Sequence, residues 1–141
     1  MKKTSYIKKT LGFLVIIAFF TSCDQILTPT QNAIDGSWNC VEQHEEDGQS
    51  NYTVQIDYDQ SDSTIIYISN FLNLETNPNI PVEVRARVSG SSITIPQQTV
   101  GGHTVVGNGT IQLGFSKINL QFTDDLYGGS PWQVTATLTK L

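Results

Sequence analysis

From Ala33 to the C-terminus, apolar and polar side chains alternate in short runs, and each run stops at Gly, Asn, Asp, Ser or Pro. A β-strand turns successive side chains to opposite faces, so a period of two predicts strands with one buried face. Ile34, Gly36, Trp38 and Cys40 share the first such face, with Asp35, Ser37 and Asn39 opposite. The turn segment Glu45–Asn51 separates it from Tyr52, Val54, Ile56 and Tyr58. Beyond the DQSDS turn, Thr64, Ile66 and Ile68 carry the alternation as far as Asn70. Val82, Val84, Ala86 and Val88, set against Glu83, Arg85 and Arg87, form the clearest amphipathic strand. Ile93 and Ile95 make a short partner after the Ser89-Gly90-Ser91 turn. Val105, Gly107, Gly109, Ile111 and Leu113 share the face of a Gly-rich strand, and Ile118, Leu120 and Phe122 that of the next. After the loop DDLYGGSP, Trp132, Val134, Ala136 and Leu138 mark the last.

Eight such strands with hairpin-length connections predict an all-β fold. The expected form is an eight-stranded antiparallel meander, closed or nearly closed into a barrel, because closure removes exposed edges. A two-sheet β-sandwich buries the same residues and stays open as the alternative. Gly107 and Gly109 on the apolar face ease tight coiling or a bulge. No segment repeats at period 3.6 for long enough to make a helix, although Phe71–Leu74 suits one short turn.

The first residues follow a different rule. Lys2, Lys3, Lys8 and Lys9 precede Leu11–Phe20, an uncharged run about half as long as a membrane-spanning helix needs. Basic start and short apolar core are the order of a secretory signal peptide. Thr21-Ser22-Cys23 at its end resembles the lipobox of bacterial lipoproteins, with Phe20 where that family usually has Leu. The resemblance implies a signal peptide over residues 1–22 and a mature chain that starts at Cys23, acylated on its thiol and amine with palmitate-type chains. Each buried methylene of an acyl chain contributes about 0.8 kcal/mol, so two or three chains hold a protein to a membrane. Residues 23–32 then form the lipidated Cys and a polar tether of about 25–30 Å, and residues 33–141 a single domain. Asp24 resembles an inner-membrane retention signal of some bacteria, a position that lineages treat differently. The expected place is the cell envelope, with the outer membrane or cell surface ahead of the inner membrane.

Cleavage removes four of the eight basic residues and no acid, so the formal charge moves from −5 to −9. Such a surface repels phosphate backbones, which excludes nucleic acid as a partner and leaves covalent lipid as the link to the membrane. Cys40 is then the one unmodified cysteine, expected to be a buried strand residue. His44 lies four residues further on the same alternation, about 13 Å along a strand and out of reach of the thiol. His44 and His103 fall at strand ends or turns, where exposure is the default, and no His-x-His, Cys pair or HExxH is present. The acids Glu45, Glu46, Asp47, Asp57, Asp59, Asp62, Asp124 and Asp125 read as solvated turn residues; the middle group lacks the central Gly and final Glu of a calcium loop. No Gly-x-Ser-x-Gly and no phosphate loop occurs. The expectation is no catalytic residue, no metal and no cofactor, with Tyr67, Tyr127 and Trp132 as candidate contact or core aromatics.

Several runs together resemble small lipocalin-like lipoproteins of Bacteroidetes-type bacteria. They are Gly36-Ser37-Trp38, Tyr52-Thr53-Val54-Gln55-Ile56, Ile68-Ser69-Asn70-Phe71, Ile93-Thr94-Ile95-Pro96-Gln97-Gln98, Gly107-Asn108-Gly109-Thr110-Ile111 and Thr139-Lys140. The resemblance implies a lipocalin-like barrel in which Trp38 plugs the closed end, and a cup for a small apolar ligand. It carries no catalytic signature. Two functions therefore stand: a non-catalytic binder of a small apolar ligand, or a solid-cored module that docks an envelope protein.

Overall fold

In the computed structural model, which describes residues 33–45, 47–77, 82–126 and 128–141, each alternating segment is a strand paired antiparallel with the next. The strands are β1 (Gly36–His44), β2 (Gly48–Tyr58), β3 (Ile65–Ser69), β4 (Glu83–Ser89), β5 (Ser92–Val100), β6 (His103–Ile111), β7 (Lys117–Asp125) and β8 (Trp132–Lys140). A 3-10 turn, Phe71–Asn73, lies between β3 and β4. β1 also pairs with β8, from Trp38 opposite Lys140 to His44 opposite Val134, so the sheet closes on itself. That seam decides between barrel and sandwich. A sandwich would leave β1 and β8 as separate edges.

Alternation fills the inside. Trp38, Val54, Ile56, Ile66, Ile68, Val84, Ile95, Leu120 and Leu138 are all buried within one core. One end is plugged. The Trp38 indole N–H donates to the Ile34 carbonyl at 2.9 Å, and the Lys140 ammonium donates to the Ala33 carbonyl at 2.8 Å while standing 5.6 Å from the indole centroid. Cutting a core Trp back to Ala costs about 3–5 kcal/mol, which is the order of what this plug contributes.

Two segments depart from the expected pattern. Leu113 does not continue the face of β6; pairing stops at Ile111 and Leu113 is 79% exposed in the turn. β5 is longer than Ile93–Ile95 indicated and runs to Val100 through a bulge between Ile95 and Gln98. Pro96 has no N–H to offer the β4 ladder, and backbone pairing there covers only Arg87–Ser89 with Ser92–Thr94. The Gln98 side chain closes the gap: its amide accepts the Arg85 N–H at 2.9 Å and donates to the Arg85 carbonyl at 2.7 Å. A side-chain amide thus stands where a backbone peptide would.

On the opposite side of that bulge, Gly107 and Gly109 let β7 lie close against β6. A Cβ at Gly107 would sit 2.4 Å from both the Gln121 carbonyl oxygen and the Phe122 Cβ. The two glycines therefore mark a tight coil, and the bulge is on β5.

β2 and β3 pair only toward the Trp38 end, over Gln55–Tyr58 and Ile66–Ser69, and part toward the mouth. Beyond that point Asn70 takes over, its side-chain N–H donating to the Thr53 carbonyl at 2.8 Å and its Oδ1 accepting the Glu75 N–H at 3.1 Å. Asn70, Leu72 and Asn73 have φ of 57°, 57° and 54°. Asn tolerates this left-handed region; Leu72 pays on the order of 1–2 kcal/mol to stay in it. Phe71 pins the turn by inserting into the core against Phe122, ring centroids 4.8 Å apart. The result is a short cover carrying Leu72 and Leu74 over the open end.

Candidate functional site

The alternation of β1 that buries Trp38 and Cys40 goes on to bury Glu42 and His44, at 6% and 5% exposure. On β7 the face of Ile118, Leu120 and Phe122 goes on to Asp124, 3% exposed. Four strands thus bring polar groups to the mouth: Glu42 and His44 from β1, Tyr52 from β2, His103 from β6 and Asp124 from β7. The expectation of exposed histidines is overturned, because strand ends in a closed barrel face the lumen as readily as solvent. The sequence signal was parity alone, and the residue types masked it.

Asp124 is the hub. Its two oxygens lie 2.8 and 3.0 Å from His103 Nδ1, and Oδ2 lies 3.5 Å from His44 Nε2. His44 Nδ1 accepts the Asp47 N–H at 3.3 Å, which directs its Nε2–H toward Asp124. Trp132 packs edge-on to His44, centroids 5.5 Å apart at 62°, so this aromatic braces the cluster instead of offering a free contact surface.

Beneath the histidines, the Tyr52 hydroxyl donates to Glu42 Oε2 in a short hydrogen bond, and Cys40 sits directly across β2 from Tyr52. Burial pushes the Glu42 carboxyl up from its ordinary value, opposed by the Tyr52 hydrogen bond. Burial likewise pushes the Cys40 thiol up to about 11, with Tyr52 opposing and the nearby Glu42 adding to the rise. Tyr52 is also raised, chiefly by burial. A thiol so placed is a packing group, not a nucleophile.

A raised folded-state value means the native protein holds the Glu42 proton more tightly than the unfolded chain does. The associated stability is full below the unfolded value near 4.5 and is lost as pH rises through the folded one. Glu42→Gln keeps an acceptor for Tyr52 but cannot ionise. Its melting temperature should match wild type at about pH 4 and exceed it progressively toward pH 8. A melting-temperature difference that stays constant across that range would refute the buried-carboxyl account.

Glu42, His44, His103 and Asp124 line a cavity of about 240 Å³ under Leu72 and Leu74, with Ser50 on its β2 wall. A second hollow of about 290 Å³ lies outside the barrel, where β2 and β3 part beside Asn70 and Glu75; it is shallower and holds no comparable cluster. Ser50 makes no hydrogen bond to either imidazole, so no Ser-His-Asp set is assembled among the described residues. No group of three or more His, Cys, Asp or Glu side chains among them is placed to hold a metal ion.

The remaining candidates have structural partners. Asp59 Oδ1 accepts the Ser61 N–H and hydroxyl and the Asp62 N–H, and Ser61 above all holds its carboxyl down to about 2. Asp62 caps Thr64 in the same way. Tyr67 donates to Asp59 Oδ2 at 3.0 Å. Asp125 caps Gly128 and Gly129. Asp57 is exposed on β2. Cys23, Asp24, the leader and tether, Glu46 and Tyr127 lie outside the described residues.

The fold defines a class, the closed eight-stranded antiparallel barrel. Among solved structures the chain is similar to a redesigned β barrel, b11L5F_LGL, at 13% identity over 80% of this chain and 96% of that one, with a TM-score of 0.53. It is also similar to EF1p2_mFAP2b, solved bound to DFHBI, at 15% identity over 82% and 99%, with a TM-score of 0.55. A Bacteroides ovatus protein of unknown function matches at 14% identity and a TM-score of 0.45, over 75% of this chain and 41% of that one. No protein-family model and no curated protein matches the chain. At these identities the likeness to the first two speaks for the fold alone.

Proposed function

We propose that this chain is a lipid-anchored protein of the bacterial cell envelope that binds a small molecule, without catalysis, at the mouth of its barrel. The observation that carries the binding function is the cavity of about 240 Å³ between the Leu72–Leu74 cover and the Glu42, His44 and Asp124 cluster. Enclosed space beside a few convergent polar groups is the usual form of a small-molecule site. Leu72 and Leu74 supply the apolar wall, so an apolar portion of the ligand rests there. The barrel below is filled by its own side chains, which limits the ligand to the mouth. EF1p2_mFAP2b, of similar fold, was solved bound to DFHBI.

Anchoring rests on the order of basic start, short apolar core and Thr21-Ser22-Cys23. Native mass spectrometry of protein purified without denaturation, with solvent extraction of whatever it carries, tests the binding function. One small molecule per chain is expected. Ligand-free protein whose crystal structure shows the mouth filled by side chains would instead favour the second reading, a docking module for an envelope protein, which the solid packing from Trp38 to Phe122 supports.

A further inference from the structure

The mouth of the barrel carries acids without Lys or Arg, whereas the plugged end mixes both signs, with Asp35, Asp57, Asp59 and Asp62 there beside Lys117 and Lys140. The strand pairs β1–β2, β3–β4, β5–β6 and β7–β8 join at the mouth, and the sequence between the strands of each pair contains no Lys or Arg. Glu45, Asp47, Glu75, Glu83 and Asp125 stand on or beside that rim. Of the four basic residues from Ala33 onward, Lys117 and Lys140 lie at the plugged end, and Arg85 and Arg87 occupy the exposed face of β4. A cavity ringed by one sign of charge concentrates ions of the other sign.

Inside, Asp124 is already satisfied by His103 and His44. Glu42 is not: Tyr52 takes Oε2, and Oε1 receives no hydrogen bond among the described residues, although the side chain is 6% exposed and lines the cavity. That oxygen is reachable from the cavity, where an incoming donor can meet it.

We infer that the mouth cavity binds a small organic cation, a protonated amine on a short apolar chain, with its ammonium on Glu42 and its chain against Leu72 and Leu74. This rests on the binding function proposed above and names its ligand class. At about 240 Å³ the cavity lies below the roughly 300–1,000 Å³ of drug-sized sites, which fits a molecule of a few heavy atoms beyond the nitrogen. The groups facing Glu42 are Cys40 and His44 on its own strand, Ser50 and Tyr52 on β2, His103 on β6, Asp124 on β7 and Asp47 in the turn. Burial favours the protonated carboxyl, so the incoming ammonium displaces a proton from Glu42 to the buffer. Affinity therefore weakens as pH falls.

Calorimetric titration of the full mature protein with n-butylamine, butan-1-ol and butanoate at pH 8 separates the outcomes. Butylamine should saturate one site, and the alcohol and the carboxylate should bind at least about tenfold more weakly. Glu42→Gln should weaken butylamine at least about tenfold while the barrel remains folded. Ser50→Lys, which places an ammonium opposite Glu42 in the β1–β2 register, should abolish binding with Glu42 intact. Equal binding of butan-1-ol and butylamine overturns the cation and leaves an apolar site. Tighter binding of butanoate overturns it in favour of charged imidazoles. Undiminished butylamine binding by either variant also overturns it. If none of the three probes binds and no small molecule co-purifies, the binding function itself falls.

Discussion

Gly107→Ala should lower the midpoint of thermal unfolding by about 10 °C, while Gly129→Ala leaves it nearly unchanged. Strand propensity argues the other way, since replacing a strand Gly by Ala normally gains about 0.5–1 kcal/mol. Packing decides the sign. The new methyl at position 107 would meet the Gln121 carbonyl oxygen and the Phe122 Cβ at 2.4 Å and the Phe122 Cα at 2.6 Å. None of these atoms can rotate aside, so relief requires β6 and β7 to separate where they pair Gly107 with Phe122. Overpacking of this kind costs about 1–3 kcal/mol or more. Gly109→Ala should be milder, because its nearest obstacle is the mobile Leu120 Cδ2, although the Asn119 carbonyl oxygen at 2.7 Å still resists. Nothing lies within 4 Å of a Cβ at Gly129, which makes it the control. A Gly107→Ala protein as stable as wild type would show that the barrel is not coiled so tightly there.

Replacement of Cys23 by Ser should abolish acylation and, with it, partition into the detergent phase of a Triton-type extraction. Serine keeps the size and polarity of cysteine but lacks the thiol that accepts the diacylglyceryl group. The acyl mass should be absent, and because the leader should no longer be removed ahead of residue 23 the intact mass should be that of the unmodified, uncleaved chain. The first strand begins at Gly36, well past residue 23, so circular dichroism and melting temperature should not change. Identical partition and identical acyl mass in the two proteins would end the lipoprotein assignment and leave secretion, or an anchor of another kind. A helical span is the poorer fallback, because the apolar run covers about half the hydrocarbon thickness.

The strands were legible because burial on one face writes a period of two into Val84-Ala86-Val88 or Ile118-Leu120-Phe122. Closure was legible as the favoured form, because it removes exposed edges, but a sandwich buries the same residues and the distant pairing of Trp38 with Lys140 is what separates them. β5 looked short because Pro96 breaks its alternation, and nothing local announces that the Gln98 amide will replace the missing ladder bonds. The mouth cluster was half visible. Glu42 and His44 continue the parity of Trp38, and Asp124 that of Phe122, yet acidic and imidazole side chains at strand ends are ordinarily solvated. Their meeting depends on register across β6 and β7, where His103 and Asp124, 21 residues apart, come within 2.8 Å. Leu72 was hidden for another reason, since its left-handed backbone is imposed by Phe71 docking on Phe122 and not by any local preference.

The β1–β8 seam also shapes how the chain folds. Seven ladders join strands adjacent in sequence and can form as local hairpins, whereas the Lys140–Ala33 hydrogen bond spans 107 positions. Closing so long a loop is entropically costly and must precede the contacts that reward it, so seam formation is the slow step, in the millisecond-to-second regime of β proteins rich in non-local pairing. During synthesis β1 emerges first and waits with one edge bare until β8 arrives. In that interval β8 of a second chain can occupy the same edge, and two half-made barrels can complete each other by exchanging strands. Concentration during refolding thus selects between a monomer and a strand-swapped dimer built from the same eight ladders.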